Sequence, residues 1–507
     1  MDFLNNLSLG FTVALTWQNL LFCLIGCVLG TLIGVLPGVG PITGISLLIP
    51  VTFGLDPTTA LITMCGVYYG AMYGGSTTSI LLNIPGESSS VITCLDGYQM
   101  AKQGRAAKAL GIAAIGSFIA GTFAVVMLNL VAEPLANFAV RFGPPEYFAL
   151  TFVALALLTT LAGKSLKKGL IATCMGLFLA LIGIDTFTNT ARFTLGKLQL
   201  ADGLSLIGVV VGLYAISEVL ENIEAPAERV FFQTKMKFLD MLPNREEWKR
   251  TWPVIGRTTI LGFLVGMLPG AGATMSSFIA YSVEKRISKH PEEFGNGAIE
   301  GVAAPETANN ASTGGGLITM LTLGIPGGGS TAVMLGALML HGLRPGPLLF
   351  QTQPDFVWGF IASMYIGNVI LLLLNMPLIS MWVSLLRVPY NILMPGIVAL
   401  SAIGVLATDN SLTDVWVMIA FGVLGYFMKK LSFPQAPLAF GFIIGPLFEK
   451  SLRQSLTMSR GSLEIFFTRP MTATLLAIAL LALFAPTLRT LWNKYTGKNI
   501  QVVSTKE

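Results

Sequence analysis

Charge is scarce in this sequence. Only 11% of its 507 residues are Asp, Glu, Lys or Arg, whereas a water-soluble domain carries about 25%. Hydrophobic residues make up 53%, and the mean hydropathy is +0.72. Nearly uncharged windows of about 20 residues, long enough to cross the bilayer core, recur along the chain. The composition excludes a water-soluble domain and predicts an all-α polytopic membrane protein.

Cysteine and histidine are scarce as well. The five cysteines lie in or beside apolar segments without metal-type pairing, and there are only two histidines and no HExxH motif. These features support neither a disulfide framework nor a zinc site, so we expect no cofactor and no metal centre. An intramembrane enzyme is disfavoured, since it would need paired aspartates, a serine–histidine pair or a zinc motif within the membrane.

Basic residues are missing from the start of the chain, where the first is Lys102. The N-terminus therefore lacks the basic region of a signal peptide, and we interpret the first apolar segment as a retained helix. The net charge of +5 resides in short loops between apolar spans. This pattern is typical of a protein in a lipid bilayer and predicts no nucleic-acid partner.

Apolar spans suitable for helices predict about 11 to 14 membrane segments. They fall roughly at 17–36, 57–73, 109–132, 147–163, 169–184, 204–222, 254–268, 328–343, 356–384, 390–407, 412–428, 434–448 and 470–490. One long charged stretch divides the chain near its middle. We therefore assign 1–222 to a first repeat, 223–253 to a cytoplasmic linker, 254–450 to a second repeat, and 451–507 to a terminal loop, helix and cytoplasmic tail.

Each half opens with the same motif, which is GVLPGVG at 34–40 and GMLPGAG at 266–272. Further on, NIPG at 83–86 is matched by GIPG at 324–327. Two ordered matches at similar separation indicate an internal duplication. We expect broken helices or re-entrant hairpins at four motifs, 34–44 and 70–90 in the first half and 266–274 and 305–330 in the second.

Orientation follows from the basic loops, which tend to remain cytoplasmic. Threading the chain by this rule places the N-terminus in the periplasm and the C-terminus in the cytoplasm. The helix that starts near residue 109 then begins inside, and its counterpart near 356 begins outside, so the two repeats have inverted topology. One loop conflicts with this threading, because 449–469 carries four basic residues and falls outside.

The Gly/Pro motifs predict a transport site. Non-helical backbone survives at membrane depth only where it is buried in protein or lines a wet cavity. Interrupted hydrophobic segments at corresponding positions of two halves are the sequence pattern of a transporter binding site. Small residues also serve simply to let helices pack closely, and for a single glycine that reading is the more economical one.

The polar residues at these motifs favour an anionic solute. The stretches 74–79 and 305–313 are rich in Gly, Ser, Thr and Asn and contain no Lys or Arg. Hydroxyls, amides and the N–H groups of helix N-termini would hold a carboxylate there. A bound cation, coordinated by loop carbonyls, would supply the missing positive charge. Glu87, Asp96, Glu300 and Glu306 are the acids near the motifs.

Several motifs together resemble a known family. They are GVLPGVG at 34–40 and GMLPGAG at 266–272, YYGAMYGGS at 68–76, NIPG at 83–86, DGYQMAK at 96–102 and PETANNA at 305–311. In these residues the chain resembles the large membrane subunit (TctA type) of bacterial tripartite tricarboxylate transporters. The resemblance covers nearly the whole chain, and the PETANN run is its most specific part.

The resemblance implies a secondary carrier that imports a carboxylate across the bacterial inner membrane. A periplasmic solute-binding protein would deliver the solute, a small membrane subunit would accompany this chain, and Na⁺ or H⁺ would drive uptake. By analogy with carriers built on paired hairpins, the solute would contact Gly75, Ser76, Thr77, Thr78, Asn310, Ser312 and Thr313. The cation would lie near Gly38, Gly40, Asn83, Gly270, Gly272 and Asn309.

Two other classes of transport protein compete with this interpretation. A primary pump is disfavoured because AGKS at 162–165 lacks the glycine that a phosphate loop requires at position 158, which is Leu158. A gated channel for small organic anions is the stronger alternative, since broken helices also build selectivity filters.

Overall fold

The computed structural model describes residues 2–36, 40–161, 165–224, 238–385, 390–409 and 411–496. The α-helices in these ranges are α1 Asp2–Ala14, α2 Trp17–Val35, α3 Gly40–Thr52, α4 Pro57–Leu82, α5 Thr93–Lys102, α6 Ala106–Ala139, α7 Pro144–Leu161, α8 Leu166–Leu179, α9 Leu206–Val211, α10 Ser217–Glu224, α11 Phe238–Met241, α12 Arg245–Gly266, α13 Gly272–Ile287, α14 Glu300–Leu323, α15 Gly329–Leu340, α16 Leu349–Thr352, α17 Pro354–Asn375, α18 Ile379–Leu385, α19 Tyr390–Asp409, α20 Leu412–Lys430, α21 Gln435–Met458, α22 Ile465–Thr468 and α23 Pro470–Thr496.

Other regular structure in the described ranges is short. A π-helical segment, Gly212–Ile216, joins α9 to α10, and 3₁₀ turns occupy Ser88–Ser90, Leu198–Leu200 and Pro291–Glu293. Two-residue strands, β1 Gly183–Ile184 and β2 Ala191–Arg192, pair antiparallel. The fold is all-α apart from this small hairpin.

Five described helices are long and apolar enough to cross a membrane. They are Trp17–Val35, Ala106–Ala139, Leu206–Glu224, Pro354–Asn375 and Leu412–Lys430. Four shorter apolar helices accompany them: Gly40–Thr52, Gly329–Leu340, Met394–Leu406 and Pro470–Phe484. The all-α polytopic membrane fold is thus confirmed, while the count of about 11 to 14 segments stays a prediction.

The helices are interrupted at corresponding places in the two halves. In the first half α2 ends at Val35 and α3 begins at Gly40, and in the second α12 ends at Gly266 and α13 begins at Gly272. Further on, α4 ends at Leu82 and α14 ends at Leu323, each followed by a residue with left-handed backbone. The second-half helix α12 starts inside the range that the sequence analysis gave to the linker.

Close packing of two helix pairs explains why both halves are rich in glycine. A methyl group added to Gly30 of α2 would lie 2.6 Å from the backbone of Val67 in α4. One added to Gly266 of α12 would lie 2.3 Å from the carbonyl oxygen of Ser312 in α14. Both pairs therefore depend on glycine for their separation, as small-residue membrane interfaces do. The inverted orientation of the repeats stays a prediction.

Ion pairs show which loops share one end of the molecule. Arg453 lies 2.8 Å from Asp185, and Arg469 lies 3.1 Å from Glu146. The basic loop 449–469 therefore lies beside the loops at 133–146 and 185–203, as the threading required. Arg453 and Arg469 are thus paired with acids, while the side of the membrane on which this end lies stays a prediction.

Candidate functional site

The chain breaks of both halves meet around one cavity of about 740 Å³. Residues 40–43 and 85–88 of the first half line it together with residues 270–275 and 328–330 of the second. Across this wall the hydroxyls of Ser88 and Thr274 are 2.9 Å apart and hydrogen-bonded. The duplicated motifs, far apart in the chain, thus form one site.

Three helices begin at the wall of this cavity. They are α3 at Gly40, α13 at Gly272 and α15 at Gly329. The first N–H groups of a helix have no partner within it and carry partial positive charge, which suits an anion. Gly40 and Gly272 have φ of +52° and +58°, a conformation that residues with a Cβ adopt only with strain. The glycines are therefore required where the chain turns into each helix.

Charged side chains occupy one part of the cavity wall. Lys429, at the end of α20, forms a salt bridge with Glu218 and another of 2.7 Å with Glu221, both from α10. Lys429 is the one basic residue among the described residues that line the cavity, and Glu87 lines it as well. This wall has three acidic side chains and one basic one. An anionic solute would therefore need added positive charge there.

The residues predicted to bind the cation do not all lie at the cavity. Gly40, Gly270 and Gly272 line the cavity. Asn83 is exposed at the end of α4, with φ of +58°, and is not part of the wall, whereas Asn309 is buried inside α14. Gly38 lies outside the described residues.

The residues predicted to contact the solute lie behind the wall. Gly75–Thr78 are buried within α4, and Asn310, Ser312 and Thr313 are buried within α14. The helices end later than the sequence suggested, at Leu82 and Leu323. The physical reason is that small hydroxyl residues fit inside a helix by bonding their own backbone, as Thr78 does to Gly75 and Thr313 to Asn310.

A buried polar network connects these stretches across the two halves. The Ser76 hydroxyl donates to Glu306 Oε2 at 2.5 Å, and the Thr93 hydroxyl donates to Oε1 at 2.5 Å. The Asn309 amide donates to Glu306 at 3.4 Å, and the Asn310 amide donates to the Ser117 hydroxyl at 2.8 Å. The polar residues of both motifs are therefore brought together, in a layer next to the cavity.

Sequence reasoning missed the part of the wall contributed by α10, α20 and α21. Lys429 was used only as a basic loop residue that sets orientation, and Glu218, Tyr214 and Gln435 were not singled out. These residues belong to no duplicated motif. Acids three residues apart, at 218 and 221, at the end of an apolar span were the available signal.

Comparison with known proteins identifies the family. The model of the tripartite tricarboxylate transporter TctA family matches residues 20–440. The chain belongs to this family. TctA-family proteins are transporter components and not enzymes, so the cavity of this TctA-family chain belongs to a membrane transport protein.

Two relatives of this TctA-family chain come from Agrobacterium vitis. An uncharacterized 52.8 kDa protein in the TAR-I ttuC' 3' region is 46% identical over 481 residues, which cover 95% of each chain. An uncharacterized protein in the TAR-II ttuC' 3' region is 46% identical over 233 residues, 46% of this chain and 96% of its own length. No solved structure matches the chain.

Proposed function

We propose that this chain is the translocation subunit of a secondary carrier that imports a tricarboxylate or related carboxylate. The solute is held in the 740 Å³ cavity and is exposed to each side of the membrane in turn by alternating access. Transport is coupled to a cation, Na⁺ or H⁺. A periplasmic binding protein delivers the solute, and a small membrane subunit completes the complex in the bacterial inner membrane.

The observation that carries this proposal is the meeting of both halves' helix breaks at one cavity. Paired, interrupted helices whose N-termini face a shared pocket are how secondary transporters hold an anion at membrane depth. The volume suits a small organic molecule, since ligand pockets measure about 300–1,000 Å³. The N–H of Gly272 itself donates to the Gly327 carbonyl at 3.2 Å, so the donors are the other N–H groups in the first turns of α3, α13 and α15, and Lys429 supplies a charged one.

The charge of the wall supports cation coupling. Glu87, Glu218 and Glu221 outnumber Lys429, so a carboxylate enters a region that already carries net negative charge. Bringing a cation in with the solute offsets that repulsion. The positive-inside rule, with Lys429 and Lys430 cytoplasmic, gives the proposed orientation, with the N-terminus periplasmic and the C-terminus cytoplasmic.

The decisive experiment is uptake by the reconstituted complex with its binding protein, using citrate as the first solute. Separate Na⁺ and H⁺ gradients identify the coupling ion, and solute accumulation above equilibrium is the expected result. A complex that only equilibrates citrate, or does not move it, contradicts a coupled carrier.

The same vesicles distinguish a carrier from the channel alternative. Citrate on the far side accelerates labelled uptake through a carrier by counterflow exchange, because the loaded site returns faster than an empty one. A channel shows no such acceleration, and its absence overturns alternating access.

A further inference from the structure

Glu306 is an acid sealed inside the protein. It lies near the middle of α14, and its exposed fraction is 0%. Its carboxylate accepts hydrogen bonds from Ser76, Thr93 and Asn309, all of them neutral. An ionised carboxylate buried without a cation costs several kcal/mol. A positive charge, either a proton or a metal ion, therefore favours this position.

Three basic side chains on the helices packed against α14 are paired with other acids. Arg250 pairs with Glu293 and Glu300, Arg257 pairs with Glu284, and Lys108 lies 3.9 Å from Glu247. The acidic, thiol and phenol groups on the elements packed against α14 include Tyr68, Tyr69, Tyr73, Glu87, Cys94, Asp96 and Tyr281. Among them Glu87 and Cys94 interact electrostatically with Glu306. No described lysine or arginine is bonded to the Glu306 carboxylate.

The hydrogen bonds of Glu306 hold both legs of the first-half hairpin. Ser76 lies in α4 before the turn, and Thr93 begins α5 after it. Between them, residues 85–88 form part of the wall of the large cavity. The acid in the second half therefore holds the turn that faces the solute, through one hydroxyl on each side of that turn.

Polar residues that line two different cavities lie close to Glu306. Glu87 lines the large cavity and interacts with Glu306. Ser76 and Ser117 line a second cavity of about 10 Å³, where the side-chain oxygen of Asn375 is buried without a partner. The carboxyl group thus lies in a polar layer, and the Ser76 hydroxyl that donates to it lines the second cavity.

We propose that Glu306 is the residue that binds the coupling proton during transport. The inference rests on the proposed function and names the ion that it leaves open. A proton from the outer side adds to one carboxylate oxygen and leaves to the inner side, with no other bond made or broken. Once protonated, that oxygen donates a hydrogen bond, so the hydroxyl bonded to it must rotate and accept one. This rotation changes the hydrogen bonds that position the turn at 85–88.

A proton fits this site better than a metal ion. The three side chains at the carboxylate direct hydrogen atoms at it, whereas a metal ion needs their oxygen atoms.

The test is Glu306→Gln in the reconstituted complex, with labelled citrate as the probe. Glutamine keeps the size and polarity of the side chain but cannot exchange a proton. Uptake driven by a pH gradient should fall by at least about tenfold, within the range of coupling effects, while counterflow without a gradient falls much less. The exposed Glu464→Gln is the matched control and should keep gradient-driven uptake.

A second variant keeps the test valid if Glu306→Gln does not fold. Ser76→Ala with Thr93→Val retains the acid but removes two donors that stabilise its ionised form. The pH of half-maximal uptake should then rise. Thr63→Val removes a hydroxyl that bonds its own helix at Thr59, and it should leave that pH unchanged. If Ser76 and Thr93 had a purely structural role, their double variant would leave that pH unchanged as well.

Three results overturn the inference. Gradient-driven uptake that survives Glu306→Gln shows that the proton binds elsewhere. Wild-type uptake that follows a Na⁺ gradient and ignores pH shows that the ion is not a proton. If the wild-type complex shows neither uptake nor counterflow, the proposed function itself fails, a result that is distinct from loss of coupling alone.

Discussion

At the scale of single residues, Lys429 has two roles in this account. It forms ion pairs with Glu218 and Glu221, and under the proposed function it is the charged donor of the cavity wall for a carboxylate. Its neighbour Lys430 pairs with Glu224 and does not line the cavity. The two lysines therefore form a natural comparison.

We predict that Lys429→Gln raises the citrate concentration needed for half-maximal uptake. A hydrogen bond to a charged group contributes about 1.5–3 kcal/mol, so the expected increase is about 10- to 150-fold. Lys430→Gln should change it little. Equal effects of the two substitutions in a proteoliposome uptake assay would contradict a role of Lys429 in binding.

Gly272 tests the importance of the turn into α13. A methyl group at this position has space, since the nearest atom is Gly328 Cα at 3.7 Å, but the φ of +58° strains any residue with a Cβ. Gly272→Ala should therefore cost about 1–2 kcal/mol and weaken citrate binding. Gly256→Ala, a helical position with nothing within 4 Å, is the control and should bind citrate normally in a thermal-shift titration.

The sequence predicted part of this site and missed the rest for a physical reason. Gly40, Gly270 and Gly272 belong to a repeated motif, so their pairing was visible without a structure. Ser76 and Thr313 were predicted to lie at helix breaks because they belong to Gly-rich polar stretches in both halves, yet each lies inside a helix and bonds a backbone carbonyl. Lys429 reaches the cavity through tertiary packing alone, which leaves no local pattern.

At the scale of elements, the α2–α4 and α12–α14 pairs determine the shape of the protein. Both pairs pack backbone against backbone through glycines, and both end at breaks that line the cavity. Displacing either pair would therefore displace the wall. Overpacking of a tight interface costs about 1–3 kcal/mol even where neighbours can move.

We predict that Gly30→Val prevents correct assembly of α2 on α4. The added Cβ would lie 2.6 Å from the Val67 backbone, which cannot move without shifting α4. The measurement is the fraction of monodisperse protein in detergent and its unfolding temperature. Leu24→Val, an exposed position on the same helix, is the control, and a Gly30→Val protein as stable as this control would refute the packing.

The β1–β2 hairpin is joined to α21 through Asp185. The backbone N–H of Phe187, the Thr188 hydroxyl and Arg453 stabilise the ionised carboxylate and hold its pKa well below its ordinary value. A lowered pKa means that this stabilisation is present at neutral pH and is lost as pH falls below about 3.9, the ordinary value for Asp.

Acidification should therefore lower the unfolding temperature of the wild type more than that of Asp185→Asn. The measurement is thermal unfolding in detergent from neutral pH to about pH 3, a range that spans the ordinary value. Other acids titrate in both proteins, so the difference between the two curves isolates Asp185. Parallel curves would show that the ion pair with Arg453 adds no pH-dependent stability.

Helix positions were largely predictable because apolar length is a strong signal in a membrane protein. The apolar span at 412–428 corresponds to α20, and that at 356–384 includes α17. The ends were less predictable where polar residues continue a helix, as in α21, which extends to Met458 through a basic stretch. There, Arg453 is stabilised by pairing with Asp185, a contact distant in sequence.

At the scale of the whole molecule, the proposed transport site depends on two distant chain segments facing one cavity. The turn at 85–88 and the start of α13 come from different halves, and Ser88 and Thr274 are the pair that joins them, at 2.9 Å between hydroxyl oxygens. We expect this wall to change during transport, because in a rocking form of alternating access the two halves move against each other. A covalent bond across it should therefore stop the cycle.

The most direct measurement is cross-linking of Ser88→Cys with Thr274→Cys in a chain whose five native cysteines are replaced. A protease site inserted between residues 230 and 231 makes the disulfide visible. After cleavage, the two halves run together on a non-reducing gel only if the disulfide joins them. We predict efficient cross-linking and loss of citrate uptake that a reducing agent reverses, with each single-cysteine chain unaffected. Cleaved halves that separate after oxidation would contradict a cavity shared by the two halves.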